Sequence, residues 1–304
     1  MVQLVVVASV LAGIIAMTNV SKSAKFFVKS VLYGLSISGC ALYGVIALIF
    51  LRLIGKPEYA QYTTARAFYY VVSILFRIKI KVKNEEYLRQ HPAIYISNHQ
   101  SALDVFMLGR IFQPGMSVTA KSSLKFVPFL GWFMMLSGTF FLNRQKSEKA
   151  RKVLSSALGQ LKTQKRGLFV FPEGTRSGYE TLDMLPFKKG AFHLAKEAGI
   201  PIVPIVVSNT THIFCLKTKT FNSGLIEIEV LPPVPTADVK SNDQVNELCT
   251  GVRESMIKKL KSDVRYSTSP LGAPKRPAEY AAEGMTGAES HDTISEQTPL
   301  INKS

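Results

Sequence analysis

The sequence predicts a layered α/β domain, a mixed or parallel sheet flanked by helices, preceded by an N-terminal membrane helical hairpin. Three observations carry this expectation. Strand-like and helix-like segments alternate from about Lys56 to Arg265. "GLFVF" (Gly167 to Phe171) and the end of "IPIVPIVVS" (Ile200 to Ser208) are apolar throughout, as in strands covered on both faces. Two long uncharged runs stand at the start of the chain. The expected division is an anchor over 1–55, a folded domain over 56–266 and a tail over 267–304.

The first run, Met1 to Val20, has no charged side chain; the second, Ser30 to Leu51, spans about 33 Å if helical, enough to cross a bilayer core. Lys22, Lys25 and Lys29 lie between them. A cleaved signal peptide competes for the first run, but the positive leading region is missing and a second apolar run follows at once. Two full spans would put a strongly basic remainder on the side opposite a basic loop. The positive-inside rule therefore gives no clean topology, whereas a hairpin dipping into one leaflet lets loop and domain share a face.

Further strands are read at "KIKVK" (Lys79 to Lys83), "AIYIS" (Ala93 to Ser97), "SVTAK" (Ser117 to Lys121), "GTFFLNR" (Gly138 to Arg144) and "LIEIEVL" (Leu225 to Leu231). The last alternates in polarity and suits an edge or half-exposed strand. "SEKARKVLSSALGQLK" sets Val153, Leu154, Ala157, Leu158 and Leu161 on one helical face, and "GAFHLAKEAG" does the same with Ala191, Leu194, Ala195 and Ala198, stopping at Gly199. "VNELCTGVRESMIKKLK" reads as a closing amphipathic helix. Past Ser267 the chain turns to Ser, Thr, Pro, Gly, Ala and Glu, too poor in large apolar residues to offset its ordering entropy, and leans acidic.

Charge narrows the function. Lys and Arg total 37 against 21 Asp and Glu, a net +16, with an isoelectric point near 9.7. Such a balance fits a nucleic acid, an anionic membrane or a phosphorylated small substrate. A mean hydropathy of +0.15 and the lack of aromatic–basic interleaving outside the anchor argue against nucleic acid. Cys40, Cys215 and Cys249 make no metal spacing or disulfide framework, and neither an HExxH nor a GxSxG pattern occurs. No cofactor or metal is expected.

Four segments carry the chemistry that remains, each at a predicted strand end. In "NHQSALD", His99 and Asp104 are five apart. A continuous helix would turn them about 140° from each other, and a strand would put them on opposite faces. They meet only if the chain turns between them, as at a strand–turn–helix junction. His99 is then a proton acceptor oriented by Asp104, or a buried histidine beside a helix-start carboxylate. In "FPEGTRSG" (Phe171 to Gly178), Pro172 and Gly174 shape a turn, Thr175 offers a hydroxyl and Arg176 a fork suited to phosphate; Glu173 and Arg176 pairing internally is the plainer reading. "KSSLKFVPFLGWFMMLSGTFFLNR" supplies Lys121 and Arg144 as phosphate ligands around an apolar stretch that reads as core or as a wall for a lipid chain. In "LPFKKGAFHLAKEAGIPIVPIVVSN", Lys188 and Lys189 precede a helix start, and Pro201 with Pro204 points to a bulge or edge near a ligand.

Together these segments resemble, in order, the 1-acyl-sn-glycerol-3-phosphate acyltransferases, membrane-bound glycerolipid acyltransferases with an H-x4-D motif. The resemblance covers roughly Lys79 to Leu231; one departure is Ser123, where many members carry Glu. It implies acylation of the sn-2 hydroxyl of 1-acylglycerol 3-phosphate (lysophosphatidic acid) to phosphatidic acid, with acyl-CoA as co-substrate and no cofactor. His99 and Asp104 would be catalytic; Lys121, Arg144, Glu173, Gly174, Thr175 and Arg176 would bind or shape the site for the phosphate. It further implies membrane lipids as surroundings and the endoplasmic reticulum, or the lipid droplet, as location. The rivals are an acyltransferase for another lysophospholipid or glycerol 3-phosphate, and a catalytically silent lipid-binding membrane protein.

Overall fold

The computed structural model describes residues 21–143 and 166–262, with residues 153, 156–159, 161 and 163 of the segment between. The apolar run 1–20, Leu154, Arg144 and the tail from 267 lie outside the described residues.

Helix α1 (Lys22–Leu53) is one unbroken piece of 32 residues, about 48 Å long. Its start is capped by Ser21, whose hydroxyl accepts the Ala24 amide at 3.3 Å. The lysines expected in a loop, Lys22, Lys25 and Lys29, are therefore the first turns of the helix. After a tight turn at Gly55, α2 (Ala60–Phe76) runs back along α1 and ends where Arg77 takes a left-handed φ of 53°. Sequence reasoning named no element here. The stripe Ala60, Thr64, Phe68, Val72 and Phe76, all buried, is nonetheless a four-residue period. Tyr33 and Cys40 of α1 pack in the same apolar core as Tyr95 and Phe106. Anchor and domain, separated at residue 55 in the sequence reading, thus share one interior.

Among the described residues, seven strands form the main sheet: β1 (Ile78–Lys83), β2 (Ala93–Ser97), β3 (Met116–Lys121), β4 (Phe140–Leu142), β5 (Gly167–Val170), β6 (Ile202–Val207) and β9 (Gly224–Val230), in the order β1-β9-β6-β2-β5-β3-β4. The five strands from β6 to β4 are mutually parallel; β9 is antiparallel to β6, and β1 follows β9. The sheet is mixed, and a small hairpin, β7 (Phe214–Cys215) with β8 (Thr220–Phe221), stands apart. Every residue of β2, β5 and β6 is buried, because helices cover both faces. Tyr95 and Phe169 face the core under α1, α2 and α3 (Asp104–Ile111). Their neighbours Ile94, Ile96, Leu168 and Val170 face the opposite core, with α5 (Gly190–Ala198), α6 (Asn242–Ser262), Ala157 and Leu161. A short α4 (Leu130–Leu136) packs on α1.

Two strands differ from expectation. β9 is interior, not an edge: Glu229 is 8% exposed and is paired with Lys259 at 2.7 Å and Lys83 at 3.7 Å. Polarity alternation here records buried ion pairs rather than a wet face. Pro204 also sits in an interior strand, yet the bulge it suggested is present. The antiparallel register slips by one residue between the bridge Ile202↔Val234 and the pair Ile205↔Val230, so the proline falls where no ladder amide is required.

Candidate active site

The parallel strands β2, β3, β4, β5 and β6 all end on one edge, and the candidate residues follow them. Past β2 the chain turns, as the His99–Asp104 spacing required. His99 Nδ1 lies 2.6 Å from Asp104 Oδ2, so Nε2 is the ring nitrogen turned away from that carboxylate. The same carboxylate oxygen accepts the amides of Gln100 at 2.7 Å and Ser101 at 3.0 Å. Asp104 therefore closes the turn and orients the imidazole at once. It is 1% exposed and opens α3. Ser101 supports the turn just before the helix, its hydroxyl accepting the Leu103 amide at 3.1 Å.

The turn is clamped from three sides. Asn98 makes a reciprocal pair with the main chain of Val207, donating at 3.0 Å and accepting at 2.9 Å, while the Gln100 side-chain amide donates through Nε2 to the Val207 and Ser208 carbonyls. The loop after β5 runs alongside: Ser177 donates to the His99 carbonyl at 2.8 Å, Gly178 to that of Gln100 at 3.2 Å, and the Phe171 ring stacks on the imidazole with centroids 4.0 Å apart. From α1, the Tyr33 phenol donates to the Ala102 carbonyl at 2.9 Å. Sequence reasoning gave Tyr33, Phe171, Asn98 and Gln100 no part, since each acts through partners distant in the chain.

The "FPEGTRS" residues separate into two jobs. Glu173 is 3% exposed; its Oε1 accepts the His99 amide at 2.6 Å and its Oε2 the Leu185 amide at 2.9 Å. It holds main chain, which fits the expected role of shaping the site and leaves both its oxygens engaged with amides rather than with Arg176. Burial pushes its carboxyl up to about 7, against the pull of the two amides. Thr175 and Arg176 are exposed at the same edge. Gly174 has a φ of 73°, a backbone conformation that favours glycine, and a Cβ there would stand 2.7 Å from Lys188 Cε, the flexible end of a side chain that crosses the turn. Lys121 ends β3, exposed, on the same sheet edge. Arg144 is outside the described residues.

Beside α3 lies an apolar cavity of about 140 Å³, lined by Val105 and Leu108, by Cys40 and Ala41 of α1, by Phe68 of α2 and by Phe133 of α4. It begins one residue from Asp104. Met134 also lines it, whereas Trp132 and Met135 are exposed. The outer flank of α1 is apolar and bare, with Phe27, Leu35, Ile46, Phe50 and Leu53 exposed; Ile74 of α2 and Phe126 are exposed as well.

Comparison with known proteins agrees with this arrangement. A family model described as Acyltransferase matches residues 79–208. The chain is 50% identical over 259 residues to the 1-acyl-sn-glycerol-3-phosphate acyltransferase of Saccharomyces cerevisiae, covering 84% of this chain and 85% of that protein. It is 35% identical over 239 residues to the human 1-acyl-sn-glycerol-3-phosphate acyltransferase alpha, covering 78% and 82%. The fold matches the crystal structure of the 1-acyl-sn-glycerophosphate (LPA) acyltransferase PlsC from Thermotoga maritima with a TM-score of 0.63 at 22% identity, over 82% of this chain and 98% of that one. With such relatives along most of its length, the chain belongs to the 1-acyl-sn-glycerol-3-phosphate acyltransferase family and is an acyltransferase.

Proposed function

We propose that the protein transfers an acyl group from acyl-CoA to the sn-2 hydroxyl of 1-acylglycerol 3-phosphate, giving phosphatidic acid and free CoA. The observation that carries this reading is the 2.6 Å contact between His99 Nδ1 and Asp104. It leaves Nε2 to take the hydroxyl proton while the buried carboxylate steadies the imidazolium. As the proton leaves, the hydroxyl oxygen bonds to the thioester carbonyl carbon. The tetrahedral centre then collapses, the C–S bond breaks, and the departing sulfur takes the proton from the imidazolium. No acyl-enzyme is needed.

The surroundings support the same substrates. Arg176, exposed one loop from the base, suits the phosphomonoester, with Lys188 and Lys121 adding positive charge at the same edge. The apolar cavity beginning at Val105 takes an acyl chain out of water. α1 is long and apolar enough to cross a membrane. Its inner flank, however, is committed to the domain through Tyr33 to Ala102 and Lys29 to the Phe221 carbonyl. A helix packed in this way lies against the domain and turns its outer flank to lipid, so the acceptor reaches the site by lateral diffusion.

The test is purified protein in mixed micelles with labelled acyl-CoA and a panel of lysolipids. Activity with 1-acylglycerol 3-phosphate, and a rise in its KM in Arg176→Ala, are expected. Activity with lysophosphatidylcholine or glycerol 3-phosphate alone would overturn the acceptor assignment.

A further inference from the structure

Arg253 lies in the middle of α6, which covers the opposite face of the sheet from α1 and α2. Its guanidinium reaches back to the segment before α5. Nε donates to the Leu185 carbonyl at 3.0 Å, Nη2 donates to the Met184 carbonyl, and Nη2 lies 3.5 Å from Asp183 Oδ1. The amide of that same Leu185 donates to Glu173 Oε2 at 2.9 Å, and Glu173 Oε1 receives the His99 amide at 2.6 Å. Four segments far apart in sequence are thus joined in one line, from α6 through residues 183–185 and the loop after β5 to the turn that carries the base. A parallel link, the Lys188 amide to the Pro172 carbonyl at 2.8 Å, keeps the middle two segments in register.

We propose that Arg253 is a positioning residue for acyl transfer: by fixing Leu185 it fixes Glu173, and through Glu173 the main chain on which His99 is mounted. This rests on the reading of His99 as the base. The physical case is that a buried carboxylate with two amide donors has no spare partner. If Leu185 drifts, Glu173 loses one of its two contacts and its grip on the His99 amide loosens. The Arg253 charge also favours the ionised, double-accepting form of Glu173. Arg253 touches no reacting atom in this arrangement, so its loss acts on geometry rather than on binding.

The experiment compares wild type, Arg253→Ala, Arg253→Lys, Glu173→Gln and the double variant Glu173→Gln/Arg253→Ala, with acyl-CoA and 1-acylglycerol 3-phosphate in mixed micelles. Expected for Arg253→Ala is a fall in kcat of about 10–10²-fold, the scale on which small misplacements act, with KM for the lysolipid unchanged. Arg253→Lys recovers part of the rate. The double variant is no slower than Glu173→Gln, because both act on one path. Hydrogen exchange of the peptide around residues 95–105, read without turnover, is faster in Arg253→Ala. An unchanged kcat, a loss confined to KM, or unchanged exchange would overturn the proposal. If the wild type itself transfers no acyl group, the reading of His99 fails, while the exchange measurement still decides the link from Arg253 to the turn.

Discussion

The phenol of Tyr33, on the long apolar helix, donates to the carbonyl of Ala102, within the turn that joins His99 to Asp104 (2.9 Å). The long apolar helix is therefore bonded directly to the turn that carries the candidate base. Its ring meets Phe68, Phe76 and Phe221 edge-on, so α1, α2 and the β7–β8 hairpin converge beneath the turn.

Tyr33→Phe keeps the ring and removes only this bond. The Ala102 carbonyl is only partly buried, so its loss of a donor costs less than the ~1–3 kcal/mol of a fully buried group. The variant should unfold at lower temperature and show a several-fold lower kcat, with little change in KM for the lysolipid. Equal kcat in the two proteins would mean the turn does not depend on α1.

Filling the cavity should change which acyl chains are used. Ala41 is 2% exposed on its wall, and Ala41→Phe would place a ring in a space of about 140 Å³. Rates with a long-chain acyl-CoA should fall at least tenfold, while a short-chain donor is spared. Overpacking typically costs about 1–3 kcal/mol, so a thermal melt accompanies the assay. Equal losses with both donors would place the acyl chain elsewhere.

Glu173 should leave a signature in stability. Its carboxyl is raised from an ordinary 4.5 to about 7, chiefly by burial. The native protein then holds a proton that the unfolded chain releases above about 4.5. The associated stability is full below that pH and is lost as pH rises through about 7. The melting temperature of wild type, relative to Glu173→Gln, should accordingly be more favourable at about pH 5 than at about pH 8. A gap that widens toward the higher pH contradicts the assignment.

The exposed apolar residues predict where charge is not tolerated. Ile74 is 76% and Phe126 is 87% exposed, on α2 and on the segment before α4. Replacing both with Asp should weaken co-flotation with phospholipid vesicles while leaving the melt unchanged, since neither is buried. Undiminished flotation would show that these residues do not meet the bilayer.

The sequence made some of this legible and hid the rest for physical reasons. His99 and Asp104 could be paired because five residues force a turn if the two are to touch, and their meeting depends on local chain alone. The apolar β5 and β6 were readable because both faces are covered. By contrast, α2 is rich in Tyr, Thr, Val and Phe, which suit strands as well, and only packing on α1 decides its state. β9 looked like an edge because Glu227 and Glu229 alternate with apolar residues, and Lys259, thirty residues on from Glu229, is what permits its burial. Glu173 looked like a partner for Arg176, its neighbour at three residues, yet its oxygens go to amides at 99 and 185. Contacts with main chain leave no mark in side-chain patterns.

The central claim is that His99 removes the proton from the lipid hydroxyl. Its most direct test is the rate of acyl transfer to 1-acylglycerol 3-phosphate by His99→Ala that melts like the wild type. A fall of about 10²–10⁴-fold is expected, the range for loss of a general base. A rate close to that of the wild type would contradict the account.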